Sequence, residues 1–196
     1  MTSKTKRRAV FLDRDGVINH AGKVDRADEF HMIDCIPEAM RSLKQADLLL
    51  VITTNQGGLG EDFDGNVVWE KARLNRQDLA EIHAKMLGLL GPDASPDLIK
   101  FCPHANWDYD CHCHKPKPGM LLDAAAELNI DLPRSWMVGD RFTDMEAAIA
   151  AGVTPILVLT GESKNEIEKC PSGTIVIPSL KEAAQFILAQ LAAELA

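Results

Sequence analysis

Short apolar runs alternate with helix-forming segments along most of this chain. The runs are short enough to be buried strands, and the segments between them repeat apolar residues at three-to-four-residue spacing. Strands and helices in alternation predict an α/β fold, a parallel sheet with helices on both faces. The predicted strands are Val10–Leu12, Leu48–Ile52, Leu98–Phe101, Trp136–Gly139, Ile156–Leu159 and Thr174–Ile177. The predicted helices span about 37–46, 75–90, 118–128, 143–151 and 180–195.

Length and composition fit one domain. The chain has 196 residues, of which 46% are hydrophobic and 26% charged, as in ordinary globular proteins. Its net charge of −8 disfavours a nucleic-acid-binding protein, which needs a basic face. No apolar run approaches the length of a membrane span or of a signal-peptide core. We therefore expect a single domain over residues 1–196 that is monomeric and cytoplasmic.

Two acids end the first predicted strand, in the segment Asp13-Arg14-Asp15-Gly16. Side chains at i and i+2 of an extended segment point the same way, so two carboxylates should share one side of the strand end. Such a pair indicates a bound cation, a shared proton or a catalytic role. Solvated turns and calcium loops use similar residues, but a calcium loop continues with regularly spaced oxygen ligands. Here Val17 and Ile18 follow.

Further polar residues follow the later predicted strands. Ligands of parallel sheets bind beyond the carboxyl ends of the strands, so these residues should meet there. Four acids and one lysine leave a strongly negative site, which needs a hard divalent cation such as magnesium before an anion can enter. Phosphoryl transfer suits this set, with one carboxylate attacking phosphorus and another moving the proton. The residues are Asp13, Asp15, Thr54, Asn55, Lys115, Asp140 and Asp144.

Three of the five cysteines fall within twelve residues. In a reducing compartment such a cluster favours metal ligation over disulfides, and three thiolates with one imidazole complete a closed structural zinc site. His112 and His114 are alternatives to His104, which we prefer because each pair of ligands is then separated by one residue. We expect a zinc-binding loop over residues 102–113 that positions Lys115. The predicted ligands are Cys102, His104, Cys111 and Cys113.

These residues, in this order, resemble the four motifs of haloacid dehalogenase (HAD) superfamily phosphatases. The matching segments are Asp13–Gly16, Thr54–Asn55, Lys115 and Gly139–Asp144. The resemblance implies a Rossmann-like fold with short insertions and no large cap domain. It implies that Asp13 is the nucleophile, that Asp15 is the general acid and base, and that Thr54 and Lys115 hold the phosphoryl group.

The same resemblance implies a magnesium site. Its ligands would be the carboxylates of Asp13 and Asp140 and the main-chain carbonyl of Asp15, with Asp144 in support. For Asp144 an alternative is a carboxylate that caps the start of a helix.

The cysteine loop and the segment Lys115–Met120 narrow the resemblance to the D-glycero-D-manno-heptose 1,7-bisphosphate phosphatases and the related histidinol-phosphatases. This narrower resemblance implies a magnesium-dependent phosphomonoesterase of carbohydrate metabolism and lipopolysaccharide biosynthesis. The enzyme would remove the 7-phosphate of the heptose bisphosphate, and the reaction would pass through an aspartyl-phosphate. Histidinol phosphate or another small phosphate is the alternative substrate. A non-catalytic protein that binds zinc and phosphate is a more remote alternative.

Substrate contacts are expected from insertions at about 20–33, 57–70 and 102–114. Two positions depart from the heptose enzymes, which usually carry an arginine just before the motif lysine and another soon after the Thr-Asn-Gln segment. This chain has His114 at the first position and the acidic Glu61-Asp62 at the second. An arginine at either would suit a second phosphate, because guanidinium binds phosphate through two hydrogen bonds. The predicted substrate-binding residues are Asn55, Gln56, Gly57, His114 and Arg141.

Overall fold

The computed structural model describes residues 5–20, 22–62, 64–104, 111–161 and 166–194. Within these ranges six strands form one sheet: β1 (Ala9–Leu12), β2 (Leu49–Asn55), β3 (Leu98–Cys102), β4 (Trp136–Gly139), β5 (Thr154–Val158) and β6 (Ile175–Ile177). Five α-helices cover it: α1 (Ile36–Gln45), α2 (Arg76–Leu90), α3 (Gly119–Leu128), α4 (Phe142–Ala151) and α5 (Leu180–Glu194). All neighbouring strands are parallel, and their order is β3-β2-β1-β4-β5-β6.

The strands supply side chains to two hydrophobic cores, one on each face of the sheet. In β1, Val10 and Leu12 belong to the core under α1, α2 and α5, whereas Ala9 and Phe11 belong to the core under α3 and α4. Each fully buried large apolar side chain contributes about 1.5–3 kcal/mol. The predicted three-layer α/β fold is confirmed.

At β1, a central strand, the direction in which the chain adds strands to the sheet reverses. From β1 the chain builds outward through β2 and β3, and it then crosses to β4, β5 and β6 on the other side. Leu12, the last residue of β1, pairs with Ile52 and Val138 on its two neighbours. Asp13 therefore follows the strand at which the strand order reverses, which is where doubly wound sheets bind ligands.

The predicted strands and helices are all present, and they differ at their ends. The β2 strand continues to Asn55, where the sequence had indicated a polar loop after Ile52, because Asn55 still pairs with Cys102 of β3. The strand β5 is shifted to begin at Thr154. In the part of the chain that the structure describes, no helix is both long and apolar enough to cross a lipid bilayer.

Candidate active site

A cavity of about 270 Å³ lies at the carboxyl ends of the central strands. Four segments that are distant in sequence meet there, as the motif order had predicted. The lining includes every residue predicted to act in catalysis or to hold magnesium, namely Asp13, Asp15, Thr54, Lys115, Asp140 and Asp144. Of the predicted substrate-binding residues it includes Asn55, Gln56, Gly57 and Arg141.

Lys115 lies between two of the buried acids. Its Nζ is 3.0 Å from Asp13 Oδ1 and 2.6 Å from Asp144 Oδ1, and it donates to the carbonyl oxygen of Thr53 at 2.8 Å. Burial by itself would lower the pKa of Lys115, but the charges of Asp13 and Asp144 outweigh it and hold that pKa above its ordinary value. The ammonium group is therefore a fixed positive charge within reach of anything bound at Asp13.

Burial raises the pKa of Asp13 to about 8, against the lowering effect of Lys115, and the negative charges of Asp144 and Asp140 add to the rise. Asp13, Asp140 and Asp144 are all buried, and each offers a carboxylate oxygen within 4.8 Å of the others. A single lysine does not balance three such acids. Hard oxygen donors in a negatively charged, buried group are the ligand set that magnesium requires.

A glycine at position 16 leaves room for the side chain of Asp140. Gly16 has φ of +83°, and a Cβ on it would lie 2.3 Å from Asp140 Oδ2. Asp144 contacts Lys115, and it also accepts a hydrogen bond from the backbone N–H of Arg141 at the start of α4, at 3.1 Å. The close approach at Gly16 explains why a glycine follows the two acids of the first motif.

The side chain of Asp15 does not join this carboxylate group. Its oxygens accept hydrogen bonds from Arg14 Nε and Nη2, at 2.9–3.1 Å, from Asn19 Nδ2 at 2.9 Å and from Gln56 Nε2 at 3.2 Å. Arg14 is only 1% exposed. A buried guanidinium needs a carboxylate partner, so Arg14 fixes the orientation of Asp15. Sequence reasoning assigned no role to Arg14, although an arginine between the two acids that follow a buried strand was a usable signal.

Two side chains at the end of β2 and just after it, Asn55 and Gln56, organise the catalytic groups. The amide of Asn55 uses both ends on the backbone of Lys115, accepting from its N–H at 3.1 Å and donating to its carbonyl oxygen at 3.1 Å. Gln56 donates to Thr54 Oγ1 at 2.8 Å as well as to Asp15. Asn55, which was predicted to contact substrate, lines the cavity, and its amide also holds the Lys115 segment against β2.

The four predicted zinc ligands are brought together beside this cavity. Their ligand atoms lie within 4.8 Å of one another, and His104 Nδ1 is 3.3 Å from both Cys102 Sγ and Cys113 Sγ. In a tetrahedral zinc site a sulfur and a nitrogen ligand are about 3.5 Å apart. The donor set and its spacing therefore fit zinc. Residues 105–110 of the predicted loop lie outside the described residues.

The cysteines of this cluster are free thiols, as are Cys35 and Cys170. Cys102 donates a hydrogen bond that lowers the pKa of Cys113 to about 5. The same contact raises the pKa of Cys102 above its ordinary value. One thiol of the pair is thus readily ionised, and a metal ion would ionise the other.

His114 is placed differently from its prediction as a substrate contact. It is not among the described residues that line the cavity, and its Nδ1 is 3.4 Å from Cys102 Sγ. Burial lowers the pKa of His114 to about 4, and the charge of Lys115 acts in the same direction. His112 lies farther out and contacts Asp123 at 2.7 Å. The histidine before Lys115 therefore packs against the cysteine cluster.

Comparisons with known proteins agree with this site. Residues 112–183 match the HAD-hydrolase-like family model. The D-glycero-β-D-manno-heptose-1,7-bisphosphate 7-phosphatase of Neisseria meningitidis serogroup A is 35% identical, over 94% of this chain and 96% of its own. The Yersinia pestis enzyme of the same name is 43% identical, over 79% and 81%.

Solved structures of similar proteins carry the same enzyme name as these sequence relatives. A D,D-heptose 1,7-bisphosphate phosphatase from B. bronchiseptica, crystallised with magnesium and phosphate, superposes with a TM-score of 0.83 at 34% identity, over 93% of this chain and 99% of its own. The D,D-heptose 1,7-bisphosphate phosphatase of Burkholderia thailandensis superposes with a TM-score of 0.69 at 28% identity, over 93% and 99%. With its motifs on the matching strands and this similarity along nearly its whole length, the chain belongs to the D-glycero-β-D-manno-heptose-1,7-bisphosphate 7-phosphatase family of HAD-like phosphatases.

Proposed function

We propose that this protein hydrolyses the 7-phosphate of D-glycero-β-D-manno-heptose 1,7-bisphosphate. It is a phosphoric monoester hydrolase, as its relatives are named. One observation carries the proposal. Asp13 follows β1, the strand at which the strand order reverses. Its Oδ1 is 3.0 Å from the buried Nζ of Lys115, and it offers a carboxylate oxygen within 4.8 Å of one from Asp140 and one from Asp144. A phosphoryl group placed there meets a nucleophile, a fixed cation and a set of metal-binding oxygens at once.

The residues present fit magnesium. The carboxylates of Asp13 and Asp140 and the main-chain carbonyl of Asp15 would hold it, and Asp144 would support them. When bound, magnesium supplies Lewis-acid activation of the phosphoryl group and neutralises the charge on its oxygens. The solved relative with magnesium and phosphate supports this assignment.

The reaction takes place in two displacements at phosphorus. A carboxylate oxygen of Asp13 attacks, the bond from phosphorus to the C7 oxygen breaks, and Asp15 gives its proton to the departing alkoxide. Asp15 then takes a proton from water, whose oxygen attacks the aspartyl-phosphate and releases inorganic phosphate and the free Asp13 carboxylate. Lys115 and Thr54 stabilise the charge on the phosphoryl oxygens throughout.

Zinc, the second proposed metal, has a structural role and does not contact the substrate. Cys102, His104, Cys111 and Cys113 use all four positions of a tetrahedral ion, so none remains for substrate. Cys113 precedes Lys115 by two residues, and Asn55 holds the other side of the same segment. Zinc at the cluster would thus fix Lys115 at the phosphoryl group.

A substrate panel tests the proposed function. Purified enzyme with magnesium should hydrolyse the heptose bisphosphate with a kcat/KM about 10- to 100-fold above that for glucose 6-phosphate or histidinol phosphate. The reason is that a second phosphate adds one or two charged hydrogen bonds that the others lack. The measurement is phosphate release under steady-state conditions. Equal turnover of the bisphosphate and of simple sugar phosphates would refute the substrate assignment.

A further inference from the structure

The connection between β5 and β6 reaches the candidate active site from outside the cavity. Thr160 and Gly161 lie two and three residues after Val158, the last residue of β5. The sequence analysis assigned neither residue to the site, and neither is among the described residues that line the cavity. Both nevertheless pack against residues of the proposed magnesium site.

The hydroxyl group of Thr160 holds the backbone next to one of the proposed ligands. Its Oγ1 donates to the carbonyl oxygen of Gly16 at 2.6 Å. The N–H of Gly16 donates in turn to the carbonyl oxygen of Asn19 at 2.8 Å. That N–H shares a planar peptide group with the carbonyl of Asp15, the proposed main-chain ligand, so fixing one end of the group fixes the direction of the other. Two successive peptide groups are therefore held in place.

The carboxylate of Asp140 is packed between two glycines. A Cβ on Gly161 would lie 1.9 Å from Asp140 Oδ2, and a Cβ on Gly16 would lie 2.3 Å from the same oxygen. A real Cβ atom almost never comes within 3.0 Å of such a neighbour. Any larger residue at position 161 would therefore displace the carboxylate. The connection after β5 and the first motif together determine where this proposed ligand lies.

The connection is anchored near both of its ends. The N–H of Leu159 donates to the carbonyl oxygen of Pro178, just after β6, at 3.1 Å. Farther along, the buried Glu166 accepts from the N–H of Phe142 at 3.3 Å, at the first residue of α4. The same helix carries Asp144. The connection is thus tied both to the sheet and to the helix of another metal-site acid.

We propose that Thr160 and Gly161 are positioning residues for the magnesium ligands. Gly161 supports the carboxylate of Asp140, and Thr160 supports the backbone at Gly16. Groups that orient metal ligands without touching the metal typically change its affinity by about 10- to 100-fold when they are removed. Both residues act through others and contact neither the substrate nor the reacting phosphorus. This inference rests on the proposed function, because it concerns the magnesium site assigned there.

Thr160→Val tests the role of the hydroxyl group, because it removes the donor and nearly keeps the volume, whereas Thr160→Ser keeps the donor. Mn²⁺ alone is the probe, since it prefers the same oxygen ligands as magnesium and its free form is measured by electron paramagnetic resonance. In purified protein dialysed free of magnesium, Thr160→Val should raise the Kd for Mn²⁺ about 10-fold, and Thr160→Ser should stay within about twofold of wild type.

Gly161→Ala tests the close approach to Asp140. It should raise the Kd for Mn²⁺ by about 100-fold, because the added Cβ displaces the carboxylate. The magnesium concentration that half-activates phosphate release should rise in the same order among the variants. Thermal unfolding in the absence of divalent metal shows which variants are folded.

The matched controls remove a similar group away from the metal site. Thr174 lies in the same connection, is also partly buried, and donates to the carbonyl oxygen of Pro171 at 2.8 Å. Gly88 lies in α2, and a Cβ on it would meet open space. Thr174→Val and Gly88→Ala should therefore bind Mn²⁺ as the wild type does, whatever their thermal midpoints.

Three results would overturn the inference. If Thr160→Val and every folded Gly161→Ala preparation bind Mn²⁺ like the wild type, the positioning role is wrong while the proposed function stands. Equal weakening in Thr160→Val and Thr174→Val would show a general effect of stability in place of positioning. Asp140→Asn separates the two claims: if it binds Mn²⁺ as tightly as the wild type, the magnesium site of the proposed function is wrong and the inference falls with it.

Discussion

Asp13→Asn is expected to abolish turnover, lowering kcat by at least about 10⁴-fold with the heptose bisphosphate and with every other phosphate ester. The amide keeps the size of the carboxylate but has no oxygen able to attack phosphorus. Retained stability is expected as well. Lys115 still contacts Asp144 at 2.6 Å and donates to Thr53 at 2.8 Å, so it is not left without a partner. Steady-state phosphate release measures the loss of turnover, and thermal unfolding of the same preparation measures the stability.

The matched control is Asp47→Asn, because Asp47 is exposed and its carboxylate pairs with Arg7 on the surface, at 2.8 Å. It should have wild-type activity. Phosphate release by Asp13→Asn at the wild-type rate would mean that another group is the nucleophile, or that the four acids serve binding alone.

Loss of zinc is the second large effect. Cys111→Ser should remove the metal from the purified protein, lower the thermal midpoint by several degrees, and reduce kcat/KM by about 10- to 100-fold. The cluster ties the end of β3 to Cys111 and Cys113, and Lys115 lies two residues after Cys113. Loss of zinc therefore frees the segment that carries the phosphoryl-binding ammonium. Metal analysis, thermal unfolding and hydrogen exchange over residues 111–117 give the three readouts.

Cys170→Ser controls for the loss of a thiol, since Cys170 lies outside the cluster and its Sγ contacts the carbonyl oxygen of Glu166 at 3.3 Å. It should keep its zinc and its activity. Full activity in a Cys111→Ser protein whose segment 111–117 exchanges rapidly would contradict the positioning role. Chelation of magnesium should differ, because it should stop turnover at once and leave exchange over this segment unchanged.

The sequence predicted the fold and the catalytic set for one physical reason. Parallel strands place their carboxyl ends along a single edge of the sheet, and because β1 and β4 are neighbours, the acids that follow them lie close together. Hydrophobic runs such as the one before Asp13 define those strands without knowledge of long-range contacts. The cysteine cluster was predictable because its ligand spacing lies within a few residues of sequence.

What the sequence missed depends on contacts between distant segments. Arg73 was not among the predicted site residues, and the hydrogen bond from its N–H to the carbonyl oxygen of Gly58 helps to bring it to the cavity. The sequence did not show that the amide of Asn55 holds the backbone of Lys115, sixty positions away. For His114 the sequence could not show that its ring turns toward Cys102. Contacts of this kind, between residues far apart along the chain, leave no pattern in the local sequence.

The capture of phosphorus by Asp13 can be measured directly in an Asp15→Asn variant. Without the carboxylate that activates water, the second displacement should slow more than the first when the leaving group is p-nitrophenolate, which needs no proton. Acid-quenched enzyme should then show a phosphoryl group by peptide mass spectrometry, on the peptide that contains Asp13 and on that residue. A phosphoryl group on another residue, or continued phosphate release with no phosphorylated enzyme, would contradict the account.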